Sequence, residues 1–170
     1  MSDSESQRWP QIERRRKNER RSAPDRRSES GWQPLSLHEP IDDLPLIEAA
    51  TQARLNAQAL YSGFKVGAAL EVRGGALVTG CNIENASYGL TLCAERVALV
   101  KALSDGHTAF TRIAVVADTD TPTPPCGPCR QLLWEYCGDI DVILANLERT
   151  TATLRLSALL PMPFDGRLLE

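Results

Sequence analysis

Two short segments limit what this chain can fold into more than anything else in it: Cys93-Ala94-Glu95 and Pro125-Cys126-Gly127-Pro128-Cys129. Each stands at the start of a stretch with helical patterning, so the fold has to present two helix N-termini that open on cysteine. The free backbone N–H groups and the positive dipole end found there favour thiolates. Cysteines three residues apart at such a terminus can aim both sulfurs at one point. A third sulfur from the other helix completes three ligands for a zinc ion, with a fourth position left for water.

The second segment has rival readings. Cys126-Gly127-Pro128-Cys129, after a strand and before a helix, is also the residue pattern of thioredoxin-like redox sites. A dithiol couple does not require Cys93 with an acid two residues on, and it does not usually sit behind two helices and a hairpin. A closed structural zinc site would want a fourth protein ligand. His38 lies near the N-terminal tail, His107 follows a helix, and Cys81 and Cys137 read as packing positions in a strand and a helix. An open three-ligand site fits better.

Composition sets the compartment and the class. The five cysteines are an odd set, which suits a reducing compartment rather than a disulfide framework. No apolar run approaches the roughly 20 residues needed to cross a bilayer. The N-terminus is polar and charged, without the apolar core of a secretory signal, and mixes acids with its arginines unlike a mitochondrial presequence. The cytoplasm is the expected location. A net charge of −3 gives no global reason to expect nucleic-acid binding. Residues 1–40 read as a disordered charged tail, because Glu13 to Arg27 has too few apolar side chains to offset the entropy of ordering. Arg14, Arg15, Arg16, Lys17, Arg20 and Arg21 could touch an anionic partner, but interspersed acids dilute their charge.

From Ile41 the pattern becomes regular, that of one folded domain over residues 41–170. Asp42 or Asp43 is placed to cap a helix with Pro45 in its first turn and Leu46, Ile47, Ala50, Ala53 and Leu55 on its apolar side. Val66 to Val72 and Ala76 to Cys81 predict a hairpin turned at Arg73-Gly74-Gly75. A helix over Cys93 to Leu103 follows, then a buried strand over Ile113 to Ala117. After the proline-rich stretch Thr121 to Pro125 come a helix from about Cys129 to Tyr136 and strands over Val142 to Leu144 and Thr151 to Leu156. This succession predicts an α/β fold of three layers, α/β/α, around a mixed sheet of about five strands.

Glu95 gives the metal reading its chemistry. Residues i and i+2 do not share a helix face, so Glu95 could be a plain first-turn acid. With Cys93 at the cap, outside helical geometry, both side chains can face one point, and Glu95 can serve as general acid and base. Three thiolates leave a zinc site with a formal net charge of −1. Arg96, beside the motif, is the better candidate to donate to a ligand sulfur, and Arg130 the second.

These segments resemble the zinc deaminases that pair a non-ligand Glu with a P-C-x-x-C element, in the three-cysteine version. More specifically, the chain resembles the small homotetrameric cytidine deaminases over about Tyr61 to Phe164. The matching segments are Tyr61 to Leu70, Gly80 to Tyr88, Leu92 to Arg96, Pro125 to Gln131, and Leu159-Leu160-Pro161 with Phe164. Leu60 stands where the family commonly has Pro, and the basic tail is extra. The resemblance implies the cytidine deaminase-like fold, Zn2+ on Cys93, Cys126 and Cys129, catalysis by Glu95, and a free cytidine or 2′-deoxycytidine as substrate. It further implies that Asn82 and Glu84 bind the ribose 3′-hydroxyl, that Phe64 and Ala94 contact the nucleoside, and that Tyr88 and Phe164 reach a neighbouring subunit's site. A blasticidin S deaminase would share the zinc core, but the segment from Asn82 to Tyr88 favours a nucleoside. A polynucleotide editor would want a basic channel and usually a His in place of Cys93.

Overall fold

The computed structural model of the chain describes residues 43–148 and 151–169. The tail expected over residues 1–40 lies outside them. Five strands form one mixed sheet: β1 (Val66–Val72), β2 (Leu77–Cys81), β3 (Phe110–Ala117), β4 (Asp141–Asn146) and β5 (Thr151–Arg155). Their spatial order is β2-β1-β3-β4-β5. The β3–β4 pair is parallel, and the other neighbouring pairs are antiparallel. A parallel pair needs a crossover between its strands. Here that crossover carries Pro125-Cys126-Gly127-Pro128-Cys129 and the helix α3 (Gly127–Cys137).

Alternation along the central strands feeds two separate apolar layers. Ala69, Ala114, Val116, Ile143 and Ala145 face Leu46 and Ala50 of α1 (Leu44–Leu55). On the other face, Ala68, Leu70, Ile113, Val115, Val142 and Leu144 pack with Ala98, Leu99 and Ala102 of α2 (Ala94–Ser104) and Leu133 of α3. The three-layer α/β/α expectation therefore holds. Two strands run longer than the sequence suggested, β4 at both ends and β3, which begins at Phe110 because pairing continues past Thr111 and Arg112 with a register shift between Glu71 and Val72; β2 starts one residue later than expected, at Leu77. The last strand ends at Arg155, and Leu156 opens a short helix, α4 (Leu156–Leu159).

Two glycines let the helices approach the sheet. A Cβ on Gly67 would lie 1.9 Å from the Ala50 carbonyl oxygen and 2.6 Å from the Arg54 nitrogen of α1. A Cβ on Gly80 would lie 2.4 Å from the Ala98 nitrogen and 2.5 Å from the Ala94 oxygen of α2. Backbone touches strand at both places, and no side chain larger than hydrogen fits.

The start of α1 departs from expectation. Asp43 occupies the N-cap position, but its side chain makes no cap hydrogen bond; Asp42 lies outside the described residues. The Asp43 carboxylate instead accepts from Arg112 Nη1 at 2.5 Å. Arg112 also forks onto Glu71, Nε to Oε2 at 2.9 Å and Nη2 to Oε1 at 3.0 Å. The Arg112 bond holds the Glu71 carboxyl below its ordinary range. A charge-assisted bond outweighs a neutral-donor cap, so the acid ties α1 to β3 rather than to its own helix.

Gly80→Ala should lower stability by about 1–3 kcal/mol, the range for forcing an extra carbon into a filled space. Gly89→Ala, with nothing within 4 Å of its new Cβ, should leave the urea midpoint nearly unchanged.

Candidate active site

The site is assembled where β2 ends and the two cysteine-led helices begin. Past Cys81 the chain runs through Asn82-Ile83-Glu84, and Ile83 exchanges two backbone hydrogen bonds with Leu92, both 2.9 Å. That bridge sets Leu92 in place one residue before Cys93. Cys93 caps α2 with extended backbone, φ −73° and ψ 155°. Cys126 caps α3 in the same way, φ −67° and ψ 165°. The third helix starts two residues earlier than the sequence suggested, because Pro128 fits its first turn without a donor. Cys129 thus lies inside the first turn.

The three sulfurs converge. Cys93 Sγ is 3.7 Å from Cys126 Sγ, Cys126 Sγ is 3.3 Å from Cys129 Sγ, and all three lie within 4.8 Å of one another. Sulfurs bound tetrahedrally at about 2.3 Å from one zinc ion stand about 3.8 Å apart. The donor set and its spacing therefore suit zinc with only small shifts of the sulfurs. Among the described residues no other group of three metal-ligating side chains comes together.

Hydrogen bonding among the sulfurs, together with burial, sets the acidities. Hydrogen bonding from Cys129, and then from Arg96 and Cys126, brings the Cys93 thiol down to about 5 against the opposing effect of burial. The same Cys93 contact, with burial, pushes the Cys129 thiol up. Glu95 is only 4% exposed. Burial chiefly, with the nearby Cys93 charge, raises its carboxyl to about 7. Arg96 donates from Nη2 to the Thr91 carbonyl at 2.6 Å and to Cys93 Sγ at 3.7 Å. Arg130 instead reaches two carbonyls, Pro125 from Nε at 2.7 Å and Leu159 from Nη1 at 2.8 Å. Its guanidinium joins the cysteine loop to the end of α4.

Around this cluster lie the other residues singled out by sequence. Asn82 is buried; its Nδ2 donates to the Phe64 carbonyl and its Oδ1 accepts from the Val66 N–H, each at 2.8 Å. Glu84 accepts from the N–H groups of Tyr61, at 2.7 Å, and Ser62, at 3.1 Å, and from the Ser62 hydroxyl. Both side chains brace the turn that carries Phe64, a function the sequence did not reveal. Ala94 is wholly buried at the start of α2. Tyr88 meets Tyr61 edge to face at 6.4 Å. At 78% and 59% exposure, Tyr88 and Phe164 contribute little to their own chain's core. The Phe164 carbonyl accepts from Gln131 Nε2 of α3 at 2.5 Å.

A sequence model of the cytidine and deoxycytidylate deaminase zinc-binding region matches residues 41–145. The chain belongs to that family. A cytidine deaminase from Halalkalibacterium halodurans is 52% identical over 127 residues, which are 74% of this chain and 96% of that one. The crystal structure of cytidine deaminase from Burkholderia pseudomallei matches with a TM-score of 0.69 at 48% identity, covering 71% of this chain and 97% of that one. Cytidine deaminase from Mycobacterium tuberculosis gives a TM-score of 0.64 at 42% identity, covering 73% and 98%.

Within this deaminase-family fold, one supporting set escaped sequence reasoning: Thr119, Thr123 and Asn146, which organise the loop ahead of Cys126. The signal was available in Pro122, Pro124 and Pro125. A stretch so short of N–H groups has carbonyls that donors elsewhere must satisfy.

The electrostatics predict an order of thiol reactivity. In chelator-stripped protein at pH 6.5, iodoacetamide should label Cys93 ahead of Cys129 and of Cys137, whose thiol burial pushes up to about 12. The Cys93 rate should fall as pH drops through about 5, where the thiolate is protonated. Peptide mapping by mass spectrometry reads the order.

Proposed function

We propose that this chain hydrolyses cytidine and 2′-deoxycytidine to uridine and 2′-deoxyuridine with release of ammonia, as a pyrimidine salvage enzyme working in the cytoplasm as a homotetramer. The observation that carries the proposal is the convergence of three cysteine sulfurs, from two helix N-termini, beside a buried carboxyl. Family membership and relatives that are cytidine deaminases support the same reading.

In this reading Cys93, Cys126 and Cys129 hold one zinc ion. When bound, zinc supplies a Lewis acid that brings the pKa of a water toward about 7. Arg96 offsets the excess negative charge of three thiolates through its bond to Cys93. Glu95 accepts a proton from the attacking water as oxygen adds to C4 of cytosine, and delivers it to N3. It then takes the second proton from the new hydroxyl and passes it to the departing amine. The C4–N bond breaks, the C4 carbonyl forms, and ammonia leaves, so water's two protons are both accounted for. A carboxyl poised near 7 performs both transfers with little energetic mismatch at neutral pH.

The remaining residues shape the pocket for a free nucleoside. Asn82, with the Nδ2 hydrogen left after it braces the Phe64 turn, and Glu84, with its remaining acceptor capacity, address the ribose 3′-hydroxyl as donor and acceptor. Phe64 and Ala94 contact the nucleoside. Tyr88 and Phe164, exposed on their own chain, contribute to a neighbouring subunit's site. A dithiol oxidoreductase is the rival from another class, and it is disfavoured because it has no use for Glu95 or the sulfur of Cys93.

The purified protein should carry about one zinc per chain. Glu95→Gln should retain that zinc and lose turnover by roughly 10³-fold or more; substantial residual activity would remove the assigned role. An ammonia-release panel of cytidine, 2′-deoxycytidine, cytosine and adenosine should respond to the first two alone. A zinc-free protein with insulin-reductase activity would favour the dithiol reading instead.

A further inference from the structure

Cys126 differs from the other two sulfur donors in how it is held. Cys129 is fixed inside the first turn of α3, and Cys93 follows the Ile83–Leu92 bridge. Cys126 is exposed at the end of a loop that leaves β3 at Ala117 and contains Pro122, Pro124 and Pro125. Three prolines remove three backbone donors, so this loop cannot brace itself by a ladder of its own.

Asn146 supplies part of the bracing from outside. It is the last residue of β4, pairs in register with Ala117, and is 3% exposed. Its Nδ2 donates to the Thr119 carbonyl at 3.1 Å and to the Asp120 carbonyl at 3.2 Å. The Thr119 hydroxyl extends the network, donating to the Thr121 carbonyl at 2.7 Å and lying 3.0 Å from the Thr123 hydroxyl. At the far end Pro125 is fully buried, and its carbonyl is held by Arg130. The loop is thus pinned at both ends, by an amide on β4 and a guanidinium on α3.

We infer that Asn146 is a positioning residue for Cys126: by fixing the Thr119–Asp120 turn it sets the path that delivers the Cys126 sulfur to Cys93 and Cys129. The inference rests on the proposal that Cys126 is a zinc ligand. Two carbonyls converge on one Nδ2, so the position demands a donor. Asn146→Asp keeps the shape but sets a carboxylate against both carbonyls, and Asn146→Ala removes the contact.

Zinc affinity of the full chain, measured by competition with a chromophoric chelator, tests this. Asn146→Asp and Asn146→Ala should weaken zinc binding 10–100-fold, the usual scale for losing an outer support of a metal site. Thr119→Val should show a smaller loss and Asn146→Ser, which keeps one donor, an intermediate one. Ile143→Val, on the same strand but in the layer beneath α1, serves as the control for general loosening of the fold and should stay within about threefold of wild type. Affinity unchanged in Asn146→Asp and Asn146→Ala, or lost equally in Ile143→Val, would overturn the positioning role. Cys126→Ser separates the two ideas: if it leaves zinc affinity intact, the ligand assignment itself fails and the inference falls with it.

Discussion

The site depends first on how closely α2 lies against the sheet. At Gly80 the strand touches the carbonyl oxygen of Ala94 and the nitrogen of Ala98, the first turn of the helix that Cys93 caps. A helix held off by one methyl group would carry Cys93 outward with it. Glu95, in the same first turn, is buried, and that burial is the chief cause that raises its carboxyl. A backbone-to-backbone contact thus seats the start of the helix that Cys93 caps and whose first turn carries Glu95. Gly67 plays the corresponding part for α1 on the opposite face.

The second constraint is the parallel pairing of β3 with β4. Because β3 and β4 run the same way, the chain must cross over the sheet between them, and the crossover brings the N-terminus of α3 to the end where α2 begins. Two positive helix ends then face a cluster of sulfurs, an arrangement that stabilises thiolates without any cationic residue in the cluster itself. Arg96 adds one full charge at its edge. The Pro-rich loop accepts the cost of having few donors and borrows them from Asn146, Thr119 and Arg130.

Much of this was legible in the sequence, for definite reasons. The cysteine spacings, the acid after Cys93 and the alternating apolar strands each reflect a local requirement, so they show in a linear reading. The roles of Arg112, Arg130 and Asn146 were hidden because each joins elements distant in the chain. Asp43 shows the limit most clearly: its position is that of a helix cap, yet a cation on β3 outcompetes the backbone for its carboxylate. For Asn82 and Glu84 the residue types suggest a ligand's hydroxyl, and what the structure shows is that both hold the Phe64 turn. Boundaries moved where a polar pair such as Thr111-Arg112 sat beside a register shift in the β1–β3 ladder, with pairing resuming at Phe110.

The spacing of the three sulfurs along the chain carries a consequence for how the protein acquires its shape. Cys126 and Cys129 are three residues apart, whereas 33 residues separate Cys93 from Cys126. In an unfolded chain the longer closure is the more costly by about 2 kcal/mol. The near pair is set by the local geometry of one helix start, whereas the third sulfur meets it only where β1, β2 and β3 stand side by side and α2 lies against Gly80. The final donor is in this sense a report on the completed sheet, and a full set of three is available only to a molecule that has already folded correctly.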